Sequence, residues 1–117
     1  MYVIYHNPGC STSRRVLERL EATGEPVEAV PYLEAGWTRG QLLGLFAAAS
    51  VTPREALRDR EPQAAALAGA DDEAILAAMV AHPVLVERPI ACGPRGVRLC
   101  RPGERVEEIL PPAPAAP

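Results

Sequence analysis

The sequence predicts an α/β fold in which a βαβ unit opens the chain, helices fill its middle and a ββα unit closes it around a mixed sheet. Three observations carry this. A β-branched and aromatic run is followed at once by an amphipathic helix and a second apolar run. Legible helix caps then recur through the middle of the chain. Two late apolar segments flank a Gly-Pro-Arg-Gly turn. With 117 residues and 48% hydrophobic side chains, the chain suffices for one domain with a core.

Tyr2 to Tyr5 form the first strand, and Asn7-Pro8-Gly9 ends it in a turn. From Ser11, the residues Val16, Leu17 and Leu20 recur at helical spacing among charged ones, and Gly24 ends that helix. Val27 to Tyr32 reads as a second strand. A strand, a helix and a strand within some thirty residues predict a parallel pair with a right-handed crossover. Next, Thr38 and Gln41 form a capping box with Trp37 placed to pack on Leu42, opening a helix to about Ala49. Thr52 and Glu55 make a second box with Pro53 at the first helical position, for a short helix to about Arg58. After a loose stretch from Glu61 to Ala70, Asp71 caps a helix with an apolar stripe of Ile75, Leu76, Met79 and Val80, which Pro83 stops. Val84 to Ala91 and Val97 to Arg101 read as a hairpin around Pro94-Arg95. Glu104 to Leu110 is a closing helix. The expected domain spans residues 1–110, with a helical insertion at about 38–82. The Pro/Ala tail, 111–117, lacks the residues to pack and is expected to be disordered.

Composition excludes several classes. The net charge of −3 and the lack of a basic stripe argue against nucleic acid. No run reaches the roughly 20 apolar residues of a membrane span. The start MYVIYHN lacks the charged region and cleavage site of a signal peptide, and three cysteines do not suggest a disulfide scaffold. A reducing cytoplasm is therefore expected. All 12 basic residues are arginine, so only an arginine's position can carry an argument. No two cysteines have ligand spacing, and His6 and His82 stand apart, so no metal site is expected.

The stretch HNPGCSTSR places Cys10 between a strand and a helix. A cysteine that caps a helix faces the free N–H groups of Ser11, Thr12 and Ser13, where negative charge is favoured. An ordinary thiol, with pKa about 8.5, is only a few per cent thiolate near neutrality. A nearby cation would aid ionisation, and His6 and incoming arginines are candidates. The same N–H groups can hold an oxyanion, which suits nucleophilic attack by a thiolate on a tetrahedral oxyanion such as phosphate or arsenate. The alternative is a small buried hydrophobe, the usual state of a free cysteine. The turn before it and the helix after it favour reactivity. Ser13 stands where a C-x-x-C redox motif has its second thiol, so a second thiol must come from elsewhere. Cys92 and Cys100 fall out of register on opposite faces of the hairpin. Cys100 is expected to be half-buried and Cys92 exposed near the loop. Arg58, Arg88, Arg98 and Arg101 are all possible anion ligands. Alternation sends Arg98 and Arg101 to opposite faces without choosing between them.

Taken together, YHNPGCSTSRRVLE, ALRDREP, HPVLVERPI and GVRLCRP resemble the glutaredoxin-coupled arsenate reductase family, collinearly from about Tyr2 to Leu110. The resemblance implies a thioredoxin-like fold with a helical insertion and a cis peptide before Pro89. It also implies that Cys10 is the nucleophile, His6 tunes it, and Arg58, Arg88 and Arg101 hold the oxyanion beside the Ser11–Ser13 amides. It further implies reduction of arsenate to arsenite with glutathione as co-substrate, glutaredoxin as partner and no bound cofactor. A monomer is expected, although the sequence does not itself decide the oligomeric state. Cys92 departs from many members of the family. An Spx-like regulator of RNA polymerase is a related alternative, although such proteins carry C-x-x-C where this chain has Ser13. A glutathione-dependent reductase of another substrate is a second.

Overall fold

The computed structural model describes residues 1–112. Strands β1 (Tyr2–Tyr5) and β2 (Val27–Val30) pair in parallel, with Tyr2 opposite Val27. Helix α1 (Ser11–Glu21) makes the crossover between them. Strands β3 (Ile90–Gly93) and β4 (Gly96–Leu99) form an antiparallel hairpin, and β3 also runs antiparallel to β1. The sheet order is β2-β1-β3-β4. This is the mixed sheet expected, in a thioredoxin-like layout.

Because side chains alternate along each strand, the sheet builds a core on both faces. Tyr2, Ile4, Ala91 and Cys100 pack under α1 and the closing 3₁₀ segment Gly103–Ile109. Ile90 and Leu99 pack on the other face, under the helical insertion. That insertion holds α2 (Tyr32–Ala35), α3 (Arg39–Ala49), α4 (Pro53–Ala56) and α5 (Asp72–Ala81), with a 3₁₀ segment at Pro62–Leu67. Both capping boxes form as read, on Thr38 with Gln41 and on Thr52 with Glu55. Asp71 also caps α5 by accepting from the Ala74 amide. Trp37 and Leu42 join the same cluster.

The differences from the sequence reading have local causes. β2 stops at Val30, because Pro31 has no N–H to continue the ladder, and Tyr32 starts the unforeseen α2. Helix α4 ends at Ala56 rather than Arg58, because Leu57 turns extended and bridges Val86. The expected strand from Val84 is a 3₁₀ turn at Pro83–Leu85 and a single bridge, and sheet pairing begins only at Ile90, past Pro89. The closing helix is 3₁₀ rather than α. Val80 lies outside the buried stripe, at 39% exposed. Cys92 is half-buried rather than exposed, and Cys100 is wholly buried rather than half-buried. Of the tail, Pro111 and Pro112 are exposed outside any element, and 113–117 lie outside the described residues. No helix among the described residues is long and apolar enough to cross a membrane.

Candidate active site

The HNPGCSTSR stretch is a tight turn feeding a helix. The Asn7 side chain accepts from the Gly9 amide at 2.9 Å, and the Cys10 amide donates to the Asn7 carbonyl at 3.0 Å. Cys10 is the N-cap of α1, with extended backbone and a buried side chain. Its own carbonyl accepts from the Arg14 amide. Among the described residues, the amides of Ser11, Thr12 and Ser13 donate to no backbone carbonyl, as the first turn of a helix requires.

Ser13 is wholly buried, and its hydroxyl is already engaged. It lies 2.6 Å from His6 Nδ1 and accepts from the Asn7 amide at 3.1 Å. Only its backbone N–H therefore remains for an anion. The bond ties His6, at the end of β1, to the first turn of α1. Burial, reinforced by the Arg14 charge, holds the His6 imidazole below its ordinary pKa. His6 is thus pushed towards its neutral form, which works against a role as a fixed cation beside the thiol.

Backbone pairing assembles the three arginines. The β3–β4 register, with Ile90 opposite Leu99, continues one step beyond the strands: the Cys100 amide donates to the Pro89 carbonyl at 2.8 Å. The chain then turns, the Arg101 amide donating to the Leu99 carbonyl at 3.0 Å, so Arg88 and Arg101 lie just beyond this end of the hairpin, one on each strand's continuation. Both are followed by proline in cis, at Pro89 and at Pro102; the family resemblance implies the first and not the second. The Arg58 amide donates to the Leu85 carbonyl at 2.8 Å, and the Glu87 amide to the Ala56 carbonyl at 2.8 Å. These bonds fasten the segment after α4 to the segment before β3.

The side chains of Arg58, Arg60 and Arg101 converge on one carboxylate, that of Glu87. Glu87 Oε2 lies 3.8 Å from Arg58 Nη1 and 3.9 Å from Arg101 Nε, while Arg60 Nη2 lies 3.9 Å from Oε1. These separations are those of ion pairs without hydrogen bonds. Arg58 is also held by Glu61 at 2.7 Å. Even so, Arg58 Nη1, Glu87 Oε2, Arg88 Nε and Arg88 Nη1 are buried without a hydrogen-bond partner. Buried guanidinium donors left unpaired are unusual and costly, and they suit a ligand rich in acceptors. Arg98 turns away, to Glu108 at 2.9 Å.

Tyr32 completes the group, although the sequence places it at the end of a strand. Its ring stacks on Trp37, with centroids 5.2 Å apart, and its buried hydroxyl has no hydrogen-bond partner. Burial pushes the phenol up to about 12; the Asn7 side chain and the Arg58 charge oppose this, and Cys10 and Glu87 reinforce it. One hydroxyl therefore senses the cysteine turn, an arginine and the shared carboxylate. On the other side, Gly103 packs so closely on α1 that a Cβ there would lie 3.2 Å from Thr12 Cγ2. That contact brings Arg101, two residues earlier, to the start of the helix, where it and Thr12 line one cavity.

Glu87 and Tyr32 are the members that sequence reasoning misses. Glu87 carries a signal, a carboxylate beside Arg88 in the HPVLVERPI segment. Tyr32 carries none, since its run reads as strand. Cys10, Cys92 and Cys100 are all free thiols, with Cys92 pushed up to about 11 and Cys100 to about 12 by burial. Among the described residues, no three of His, Cys, Asp or Glu converge as metal ligands do.

The profile of the ArsC family matches residues 5–109. The chain is 53% identical over 121 aligned positions to the arsenate reductase ArsI2 of Synechocystis sp., covering all of this chain and 86% of that protein. It is 41% identical to an arsenate reductase of Escherichia coli strain K12, covering 94% of this chain and 81% of that protein. The solved arsenate reductase of Vibrio cholerae superimposes with a TM-score of 0.86 at 38% identity, covering 93% of this chain and 97% of that one.

Proposed function

The chain belongs to the ArsC family, and on that ground we propose how its residues divide the work of arsenate reduction. It is an oxidoreductase that reduces arsenate to arsenite. In our reading Cys10 is the nucleophile, and the oxyanion is held by Arg58, Arg88 and Arg101 with the amides of Ser11, Thr12 and Ser13. The observations that support this are buried guanidinium atoms on Arg58 and Arg88 without hydrogen-bond partners, and a buried cysteine that caps a helix whose first amides are free. His6 and Ser13 hold the turn in shape.

The Cys10 thiolate attacks arsenic(V), a sulfur–arsenic bond forms, and one arsenate oxygen leaves as water after taking up protons from solvent. The arginines and helix amides offset the charge on the remaining oxygens. Glutathione then displaces a second oxygen, again as water, to give arsenic bound to two sulfurs. A glutaredoxin thiolate attacks the glutathione sulfur, and a mixed disulfide forms. The electron pair of the broken sulfur–arsenic bond stays on arsenic, now arsenic(III), on Cys10. Water hydrolyses that last bond, releasing arsenite and the free thiol. Two outside thiols supply both electrons, which fits a chain with Ser13 where a second motif cysteine would stand. The reading requires no bound cofactor and takes residues 1–110 as one domain, acting as a monomer in the cytoplasm.

The test is arsenite formation from arsenate with glutathione and glutaredoxin, comparing wild type with Cys10→Ser. The substitution should abolish turnover, because an alcohol near neutrality does not replace a thiolate. Turnover that survives it removes Cys10 as nucleophile. An undiminished rate without glutaredoxin removes that partner.

A further inference from the structure

A groove of about 550 Å³ runs from Arg101, at the edge of the proposed arginine cradle, along α1. Thr12, Arg15 and Arg19 form one wall, and Arg101, Glu104 and Glu107 form the other. On a helix, residues 12, 15 and 19 share one face, so the groove starts at the first turn after Cys10 and continues for about 10 Å. Three extended residues span about 10 Å, so a tripeptide matches it in length, and the volume lies in the range of small-ligand pockets.

The charges in the groove are of two kinds. Arg19 and Glu107 are committed to each other through a bidentate pair at 2.7 and 2.9 Å. Arg15 and Glu104 are exposed and belong to none of the ion pairs among the described residues. One unpaired cation and one unpaired anion on facing walls complement a zwitterionic amino-acid head, a carboxylate beside an ammonium. The position of the groove also matters. The Arg101 side chain is 32% exposed against 17% for Arg58 and 16% for Glu87, so an incoming thiol finds the cradle more open on this side.

We propose that the groove between α1 and the closing 3₁₀ segment is the seat of the reducing thiol peptide. Arg15 and Glu104 take its amino-acid head, and its thiol is directed past Thr12 and Arg101 to arsenic on Cys10. This rests on the functional reading above and adds to it the place and polarity of the second substrate. The thiol peptide supplies the sulfur of the second step and needs no further reactant.

The test compares kcat/KM for glutathione with that for glutathione diethyl ester, in which both carboxylates are masked, at fixed arsenate and glutaredoxin. Wild type should prefer glutathione by about fivefold, the scale of an exposed ion pair. Arg15→Glu should erase or reverse that preference, and Arg15→Lys should keep part of it. The proposal is overturned if the preference survives in Arg15→Glu, or if wild type makes arsenite equally fast with both thiols, a result that leaves arsenate reduction standing. Failure of wild type to make arsenite with either thiol overturns the functional reading as well.

Discussion

Replacing Arg88 with methionine should make the protein more stable and less able to bind its oxyanion. Arg88 Nε and Nη1 are buried with no partner, and an unmet buried donor costs about 1–3 kcal/mol, more when charged. Methionine keeps an unbranched stem of similar length, so packing is largely preserved. The lost penalty outweighs the small packing change, and a net stabilisation of about 1–2 kcal/mol is expected. For a chain of this size that raises Tm by about 4–8 °C. The anion response should move the other way. An oxyanion at about 100 times its Kd stabilises a protein by about 2.7 kcal/mol, and losing charge-assisted hydrogen bonds worth about 1.5–3 kcal/mol weakens binding roughly ten- to a hundredfold. Thermal melts of both proteins, without anion and against a series of arsenate and phosphate concentrations, measure both effects. A variant less stable than wild type by over about 1 kcal/mol with an undiminished anion response would show that Arg88 is a structural residue, and would refute the cradle.

Other expectations concern pH, backbone and thiols. His6 is held below its ordinary value of 6.5 by burial and Arg14, so on acidification the unfolded chain takes up that proton first. Stability should therefore fall as pH drops through about 6.5 towards the folded value, and urea midpoints from pH 7.5 to 5.5 should show a slope that His6→Asn flattens; equal slopes contradict the assignment. A Cβ on Gly93 would meet the Tyr2 ring at 2.6 Å, so Gly93→Ala should cost about 1–3 kcal/mol. Gly44, in α3 with open space around it, should gain about 0.5–1 kcal/mol on becoming alanine. The same denaturation series checks both, and a neutral Gly93→Ala would contradict the packing of β1 on β3. Cys92 and Cys100, raised to about 11 and about 12 by burial, bind protons more tightly folded than unfolded. Stability should drop as pH rises from about 9 towards those values. At pH 8 both should alkylate far more slowly in the native state than in urea, which mass spectrometry of labelled peptides can follow.

Much of the chain is legible in its local chemistry. The capping boxes at Thr38 and Thr52, the Asp71 cap, the parallel crossover and the hairpin register that separates Cys92 from Cys100 all depend on neighbours in sequence. Such signals survive folding because they are completed within one turn or one hairpin. Local preference fails where a distant segment overrules it. Leu57 leaves its helix to pair with Val86, and Val84 to Pro89 does not pair as a strand because its partner and its proline dictate otherwise.

The site divides in the same way. By itself the sequence determined that Cys10 would cap a helix, that its amides would be free and that Ser13 could not act as a second thiol, because turn, cap and helix are contiguous. The arginines proposed to hold the oxyanion could be chosen only by likeness to a family, since twelve equivalent side chains offer no local distinction. The tertiary structure decided how their backbones are placed: Arg88 and Arg101 flank one end of the hairpin, and the Arg58–Leu85 bond fastens the third segment beside it. It also decided that Glu87 and Tyr32 would join them, and that a groove with one unpaired cation and one unpaired anion would lead away along α1. The physical reason is one of range. A cap is made by atoms a few residues apart, whereas the proposed cradle for a tetrahedral oxyanion draws Arg58, Arg88 and Arg101 from separate segments of the chain, and only packing brings those together.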